Sequence, residues 1–259
     1  MNNVSELALN YLQSYNCHIS EDYVGLLRSA CEIHPPPHGM AKYGNLYREC
    51  ARDRQWFANS LAVNAYEEGY GSKQVWEFAQ RIENRDFARL VRGHSIDESR
   101  HSKMFVALLD ILFPTELETE VREEFKSFSP EYYPHSHPPI EPSPEKVIDK
   151  FQVMDQIIQI NLLEIRALIL QLLLRPVAQA YATNESLPKV TCMSNLFIYD
   201  ETKHVEYSAY CIGEFIKEGN CEWVREKIIQ SQQTINEMFL IDTETDHSLG
   251  TTVLKTQVG

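Results

Sequence analysis

The sequence predicts an all-α protein. Apolar residues recur at spacings of three and four along most of the chain, which is the period of an amphipathic helix. No segment shows the alternation of apolar and polar residues that marks a convincing strand. Glycine is scarce, at 10 of 259 residues, and an apolar fraction of 43% is ample for a core. We therefore expect one large helical domain with extensions.

Four long helices are predicted in the middle of the chain, and they fall into two consecutive pairs. Gly69 and Gly71 should end the first helix, and Asp86 can cap the second. Pro176 is expected to kink the third helix, and Pro188 precedes the fourth. The predicted ranges are about 45–68, 86–113, 145–182 and 188–219.

Shorter elements surround these helices. Two amphipathic helices are predicted within residues 1–33, with Ser20 as the cap of the second. Ser72 can cap a separate short helix that ends near Glu83, and a proline cluster breaks the chain at 35–37. Other predicted features are a charged helix at 116–126, a proline-rich loop at 129–144 and a last helix at 222–240. The predicted organisation is a helical extension (1–44), a four-helix bundle (45–218), a C-terminal helix (219–241) and a poorly ordered tail (242–259).

Composition narrows the classes of partner and compartment. A net charge of −13 argues against nucleic acid or an anionic membrane as a partner, because phosphate binding needs a basic face. No signal peptide is evident in 1–15, and the six cysteines include no close pair, so we expect reduced thiols in a cytoplasmic protein. The apolar segment 157–174 resembles a membrane span, but four polar residues interrupt it and favour a buried core helix. Those residues are Asn161, Glu164, Arg166 and Gln171.

One pentapeptide pattern, Asp-Glu-x-(Arg/Lys)-His, occurs twice, at 97–101 and 200–204. Glu and His three residues apart lie on one face of a helix, so both can ligate one metal ion. A third Glu-x-x-His pair, Glu244 with His247, lacks the preceding Asp and falls in the polar tail. The flanking residues therefore carry most of the specificity of the pattern. Two such pairs on separate helices are half of a carboxylate-bridged di-metal site.

The two remaining long helices each offer a carboxylate to complete such a site. Glu164 lies in a strongly apolar segment, where an unpaired carboxylate would be costly to bury, and a position between two cations removes that cost. The first long helix offers two adjacent candidates, Glu67 and Glu68. Both lie on partly apolar faces, and the more continuous apolar spacing favours Glu68 narrowly.

Residues beside the pentapeptides have predicted supporting roles. His94 lies one turn before Glu98 on the same predicted face and is a candidate extra ligand, although a histidine on a core face is more often structural. Phe197 holds the equivalent position before the second copy. A ligating histidine normally donates its other ring N–H to a carboxylate. Asp97 is placed to accept from His204 and Asp200 from His101, and their charges could be neutralised by Arg100 and Lys203.

Four glutamates and two histidines form a hard oxygen and nitrogen ligand set, which suits iron or manganese rather than structural zinc. Over residues 45–218 the arrangement resembles the ferritin-like di-iron carboxylate superfamily. The resemblance implies a ferritin-like four-helix bundle with one long crossover, two bridged iron ions and O2 as co-substrate; one manganese could replace an iron. It implies the ligands Glu68, Glu98, His101, Glu164, Glu201 and His204. No catalytic residue is indicated beyond them.

The expected function is an O2-dependent di-iron oxygenase or oxidase. Residues 98–101 resemble the same string in aldehyde-deformylating oxygenases. The p-aminobenzoate N-oxygenases carry an extra histidine before the second motif, where this chain has Phe197, whereas His94 occupies the matching place in the first half. We expect a small organic substrate of the amine, amino-acid or fatty-aldehyde type, an external electron donor, and a monomer or homodimer. Arg166 or Arg175 could meet a substrate carboxylate.

Two other functions are compatible with the ligand pattern. The first is iron storage or buffering, since bacterioferritin also has two Glu-x-x-His halves, although the additional helices and the proline-rich crossover would obstruct a cage subunit. The second is a radical-generating subunit similar to the small subunit of ribonucleotide reductase, which needs a tyrosine near one metal. Tyr66, Tyr199 and Tyr207 are the candidates for that role.

Overall fold

The structure is a computed structural model, and it describes residues 4–115 and 147–245. Every regular element in these two ranges is helical, which confirms the all-α prediction, while the ferritin-like bundle stays a prediction. The predicted elements at 116–126 and 129–144, and the tail from 246 onward, lie outside the described residues. The α-helices are α1 (Val4–Ser14), α2 (Glu21–Ile33), α3 (Ala41–Cys50), α4 (Arg54–Ala79), α5 (Arg85–Leu112), α6 (Lys150–Tyr181), α7 (Leu187–Phe215) and α8 (Cys221–Thr245).

The first two helices are close to their predicted positions. The Ser20 side chain accepts a hydrogen bond from the backbone N–H of Tyr23 at 3.2 Å, so this residue caps α2 as predicted. Beyond α2 the proline cluster gives way to a short 3-10 helix, Pro37–Gly39, before α3 begins.

The predicted helix at 45–68 is wrong at both ends. The chain breaks after α3, and α4 begins at Arg54, where the Asp53 carboxylate accepts from two backbone N–H groups. The helix then continues through Gly69 and Gly71 to Ala79, so the separate helix capped by Ser72 does not exist. One glycine costs a helix only about 1 kcal/mol relative to alanine, and the packing of α4 against α5 outweighs that cost.

The boundaries of α5 and α7 also differ from the predictions. Asn84 rather than Asp86 caps α5, because its side chain accepts from the backbone N–H groups of Asp86 and Phe87. Later in the chain, α7 stops at Phe215 and a π-helical turn, Ile216–Asn220, leads into α8. Gly219 has a φ of 90° in this turn, a left-handed conformation that favours glycine.

The chain divides into two compact units. The first-motif unit comprises 51–150 and 178–193, and it contains α4 and α5. The second-motif unit comprises 1–50, 151–177 and 194–259, and it contains α1 to α3, α8 and most of α6 and α7. The predicted domain boundaries at 44, 218 and 241 stay predictions.

Each unit has its own buried contacts. In the first-motif unit, Phe57 stacks on Tyr181 at 5.5 Å between ring centroids, and the Tyr181 hydroxyl donates to the Ala51 carbonyl at 2.8 Å. In the second-motif unit, Asn236 of α8 donates to the His34 carbonyl at 3.0 Å and thereby holds the end of α2.

Among the described residues, one helix is long and apolar enough to cross a membrane. This helix is α6, and half of its most apolar stretch is buried within the protein. Core helices of soluble proteins meet the same criteria, so α6 is weak evidence for a membrane protein. The expectation of no membrane association stays a prediction.

Candidate metal centre

The first-motif unit brings three predicted ligands together. Glu68 of α4 and Glu98 and His101 of α5 each offer one ligand atom, and these atoms lie within 4.8 Å of one another. His101 Nδ1 is 3.5 Å from Glu98 Oε1 and 3.7 Å from Glu68 Oε2. The imidazole is fully buried and the two carboxylates are only 12–13% exposed. We call Glu68, Glu98 and His101 the first group.

The structure distinguishes the two adjacent glutamates of α4. Glu68 turns toward α5 and joins the first group, whereas Glu67 is exposed. Sequence periodicity separated these residues only narrowly, because both faces of the helix carry apolar residues. The α4–α5 packing gives the reason: Ala65, one turn before Glu68, is fully buried against that helix.

Serine hydroxyls fix how α4 and α5 pair beside the first group. Ser72 Oγ donates to the Ser95 carbonyl at 2.8 Å, and Ser95 Oγ donates back to the Ser72 carbonyl at 2.7 Å. Ser102 Oγ donates to the Ala65 carbonyl at 2.6 Å, immediately after His101 in sequence. These short side chains let the backbones approach closely, and their directional bonds set the register of the two helices. Sequence reasoning missed this feature.

His94 extends the first group by one helical turn. Its Nε2 lies 3.2 Å from Glu98 Oε1, and the residue is only 3% exposed. The imidazole therefore contacts the same carboxylate as His101 does. This position allows His94 either to hold Glu98 by a hydrogen bond or to ligate a metal ion that Glu98 binds.

The two carboxyls of the first group titrate as a pair. Burial raises the pKa of Glu68 well above its usual value, and the charge of Glu98 adds to that shift. Burial opposes ionisation of Glu98 as well, but hydrogen bonds with Glu68, His101 and His94 hold its pKa well below the usual value. A cation bound beside the two carboxylates would stabilise their ionised forms and so oppose the effect of burial on Glu68.

The second-motif unit brings together the other three predicted ligands. His204 Nδ1 lies 3.3 Å from Glu164 Oε2 of α6 and 3.3 Å from Glu201 Oε2 of α7. His204 is 2% exposed, Glu201 is 1% exposed and Glu164 is 9% exposed. We call Glu164, Glu201 and His204 the second group.

A buried amide holds α6 beside α7 next to the second group. Asn161, one turn before Glu164, donates to Ser208 Oγ at 2.9 Å and accepts from the Tyr23 hydroxyl at 2.8 Å. Ser208 in turn donates to the His204 carbonyl at 2.6 Å. Asn161 thus links α2, α6 and α7 through one fully buried side chain.

The basic residues of the two pentapeptides have different partners. Arg100 binds Asp97 of its own motif at 2.8 Å, as the sequence indicated. Lys203 instead binds Glu206 at 2.7 Å and lies 3.7 Å from Cys17 Sγ, two contacts that the sequence did not suggest. The proposed hydrogen bonds from the two ligand histidines to Asp97 and Asp200 stay predictions.

The structure also describes the surroundings of Arg175, Tyr199 and Tyr207, to which the sequence analysis gave possible roles. Arg175 donates to Asn195 at 3.3 Å. Tyr207 is 8% exposed and its ring packs edge-on against His204, with 6.5 Å between the centroids, whereas Tyr199 is 43% exposed. Of these two tyrosines, Tyr207 is therefore the one with a ring beside a predicted ligand.

The donor atoms of the first group could hold a metal ion. Each group offers carboxylate oxygens and one imidazole nitrogen in a buried setting, where a cation compensates the cost of burying negative charge. Both groups contain two glutamates and one histidine, with no thiolate among them.

No protein-family model matches this chain, and neither a curated protein nor a solved structure matches it significantly. The fold and the two groups define the protein as an all-helical one with buried glutamate and histidine residues that could hold a metal ion.

Proposed function

We propose that this protein is an O2-activating non-haem di-iron oxygenase or oxidase that acts on a small organic substrate. The observation that carries the proposal is the equal composition of the first and second groups: each buries two glutamates and one histidine, drawn from two different long helices. Chance pairing of surface charges does not bury six such residues, because each buried carboxylate needs a compensating partner.

The first group would hold one iron ion through Glu68, Glu98 and His101, and the second group would hold another through Glu164, Glu201 and His204. Reduced iron bound there would supply electrons to O2. In an oxygenase an external donor would return them, whereas in an oxidase the substrate itself would do so. Manganese in place of one iron is compatible with the same donor atoms.

The protein's own residues would bind, orient and shield the metals. His94 contacts Glu98 and restricts the direction in which that carboxylate points. The rings of Phe105 and Phe197 are fully buried on the helices that carry the two motifs, which keeps bulk water away from this region of each helix. A metal ion bound at the first group would favour the ionised form of Glu68, so the binding of metal would depend on pH.

A second candidate function has one observation in its favour. Tyr207 lies beside His204, as a tyrosine must if it is to be oxidised by a neighbouring metal centre. Electron paramagnetic resonance after exposure of the reduced protein to O2 tests this radical function. A tyrosyl signal that disappears in Tyr207→Phe would favour it over the oxygenase.

The proposed function is tested by loading the protein with Fe(II) without O2 and then mixing it with O2 in a stopped-flow spectrometer. The panel of substrates comprises amines, amino acids and fatty aldehydes. We expect about two iron ions per chain and an absorbance transient whose formation or decay depends on one class of substrate. Steady iron mineralisation by a large multi-subunit shell, with no substrate effect, would contradict the proposal and favour storage.

A further inference from the structure

The solvent-facing side of α5 carries a row of basic residues. Each residue advances an α-helix by about 100°, so these side chains fall within about one quarter of the circumference of α5. They extend about 27 Å along the helix axis. The side chain of Arg89 is 74% exposed and that of Arg100 is 42% exposed. We call this set the basic stripe: Arg85, Arg89, Arg92, Arg100 and Lys103.

The centre of the basic stripe is open to a partner. Gly93 is exposed there, and a Cβ atom built on it would meet no other described element within 4 Å. Two carboxylates flank the stripe: Asp86 lies 3.6 Å from Arg89, and Asp97 lies 2.8 Å from Arg100. They offset only part of its five positive charges. Because the whole chain has a net charge of −13, the stripe attracts an anionic partner that the rest of the surface repels.

The first group lies on the opposite side of the same helix. Glu98 and His101 are buried, and the helical period places them roughly half a turn around α5 from Arg89 and Lys103. An α-helix with its side chains is about 10–12 Å across, so the stripe and the predicted ligands are about one helix diameter apart. A substrate cannot pass through a packed helix, whereas an electron can tunnel across this distance. The position of the stripe therefore suits the delivery of electrons.

We propose that the basic stripe docks an acidic electron-carrier protein, which reduces iron held by the first group. This inference rests on the proposed function and names its external electron donor, and it favours the oxygenase, which needs one. In each encounter the carrier loses one electron and a ferric ion held by the first group becomes ferrous. No bond forms or breaks in this step.

A small acidic protein fits the basic stripe better than other polyanions do. Nucleic acids and anionic membranes carry extended negative charge, which the acidic remainder of this chain would also meet. Complexes between redox proteins are small and commonly bury less than about 1,200 Å² in total. A carrier of that kind can contact the stripe alone.

The probe is a plant-type [2Fe–2S] ferredoxin, a small acidic one-electron carrier. Its binding to the full chain is measured by titration calorimetry at low salt, with and without iron loading. The double variant Arg89→Glu/Lys103→Glu should weaken binding by about tenfold or more, because two attractive charges become repulsive. The milder Arg89→Gln/Lys103→Gln should weaken it by about threefold. Higher salt should reduce both differences.

The matched control is Lys42→Glu/Lys189→Glu. It changes the net charge of the chain as much as the double reversal on α5 does, but at exposed lysines of α3 and α7. Its affinity for ferredoxin should stay within about twofold of the wild type, since screened charges act locally. Circular dichroism and urea unfolding should show that all three variants keep the wild-type fold.

Several outcomes would overturn the inference. The first is a wild type that does not bind ferredoxin, and the second is equal binding by the wild type and the reversed stripe. The third is an equal loss in the control, which would reflect net charge alone. Binding of duplex DNA or anionic vesicles through the stripe in place of ferredoxin would also overturn it, as would a wild-type dimer that the double reversal dissociates.

The two proposals can fail separately. The reversed stripe should bind iron with wild-type stoichiometry, because Arg89 and Lys103 are not ligands, but it should accept electrons from reduced ferredoxin about tenfold more slowly in stopped-flow mixing. A wild type that binds ferredoxin through the stripe but holds no iron would refute the proposed function alone. A wild type that binds iron and activates O2, with no dependence on the stripe, would refute this inference alone.

Discussion

The first and second groups have matching ligands, but different contacts hold them in place. Beside the first group, serine hydroxyls of α4 and α5 bind backbone carbonyls of the opposite helix. Beside the second group, the single amide of Asn161 connects α6 with α7 and α2. A repeated motif can thus place the same donor atoms in two settings that have different hydrogen bonds around them.

The two groups also differ in one position on the motif helix. The residue four before the motif glutamate is His94 in the first group and Phe197 in the second. His94 contacts Glu98, whereas Phe197 is a fully buried apolar residue. We therefore expect substitutions of residues beside the first group to weaken metal binding more than equivalent substitutions beside the second group.

We expect the largest effect, a fall in iron content, when a predicted ligand histidine is removed from one group at a time. His101→Ala and His204→Ala should each lower the iron content from about two ions per chain toward one, because the other group keeps its own donors. Metal analysis after anaerobic loading and gel filtration measures this. His247→Ala, in the third Glu-x-x-His pair of the sequence, is the control and should bind as much iron as the wild type. Equal loss in all three variants would contradict the assignment.

Removal of the amide beside the second group should have the next largest effect. Asn161→Leu should lower the free energy of unfolding of the metal-free protein by about 3 kcal/mol, since it leaves the fully buried Tyr23 hydroxyl without its acceptor. Ser102→Ala, which removes one hydroxyl bond beside the first group, should cost about 1 kcal/mol. Urea unfolding measures both values.

A second substitution tests the cause of that loss. Tyr23→Phe in the Asn161→Leu background should recover part of the stability, because removing both partners of a buried hydrogen bond costs less than removing one. Equal destabilisation by Asn161→Leu and Ser102→Ala would remove the distinction between the two kinds of support.

His94→Phe makes the first group resemble the second. We expect the affinity of the first group for iron to fall about tenfold, the usual effect of losing a residue that orients a ligand. Competition with a coloured chelator measures the affinity, and the absorption spectrum of the loaded protein should change with it. Phe197→Leu is the matched control in the second group and should change neither quantity. Unchanged metal content, spectrum and turnover in His94→Phe would show that this histidine is purely structural.

The smallest effect concerns pH and the second-motif unit. His38 is 6% exposed, and burial together with the nearby Arg166 charge lowers its pKa to about 3. The unfolded chain, with a histidine pKa of about 6.5, binds a proton that the folded state does not, so stability falls as pH decreases below that value. From about pH 7.5 to about pH 5.5 the wild type should lose about 1.4 kcal/mol relative to His38→Leu.

Urea unfolding at the two pH values measures this difference. The control is His18→Gln, which replaces an exposed histidine of the same unit and should show the same change in stability between the two pH values as the wild type. A loss of the same size in the wild type and His38→Leu would mean that the acid sensitivity arises elsewhere.

Local sequence signals predicted the elements that depend on local physics. The Ser20 cap and the first two helices are where the sequence indicated, because capping and periodicity act within one or two turns. The end of a helix at Gly69 and Gly71 was wrong, because glycine penalises a helix only weakly and contacts with α5 extend α4 to Ala79. The cap of α5 was misplaced by two residues, since Asn84 and Asp86 are both good capping residues.

By itself, the sequence determined the helical class of the protein and which residues of the two pentapeptides share a helix face, because a spacing of three residues places both side chains on one side of the helix. It also indicated Glu164, since a carboxylate in an apolar segment needs a cation. Only the tertiary structure turned Glu68 rather than Glu67 toward His101. It alone brought Asn161 to Tyr23, 138 residues away, and left the Gln171 oxygen buried with no donor among the described residues. Such contacts join residues remote in the chain, and no local pattern encodes them.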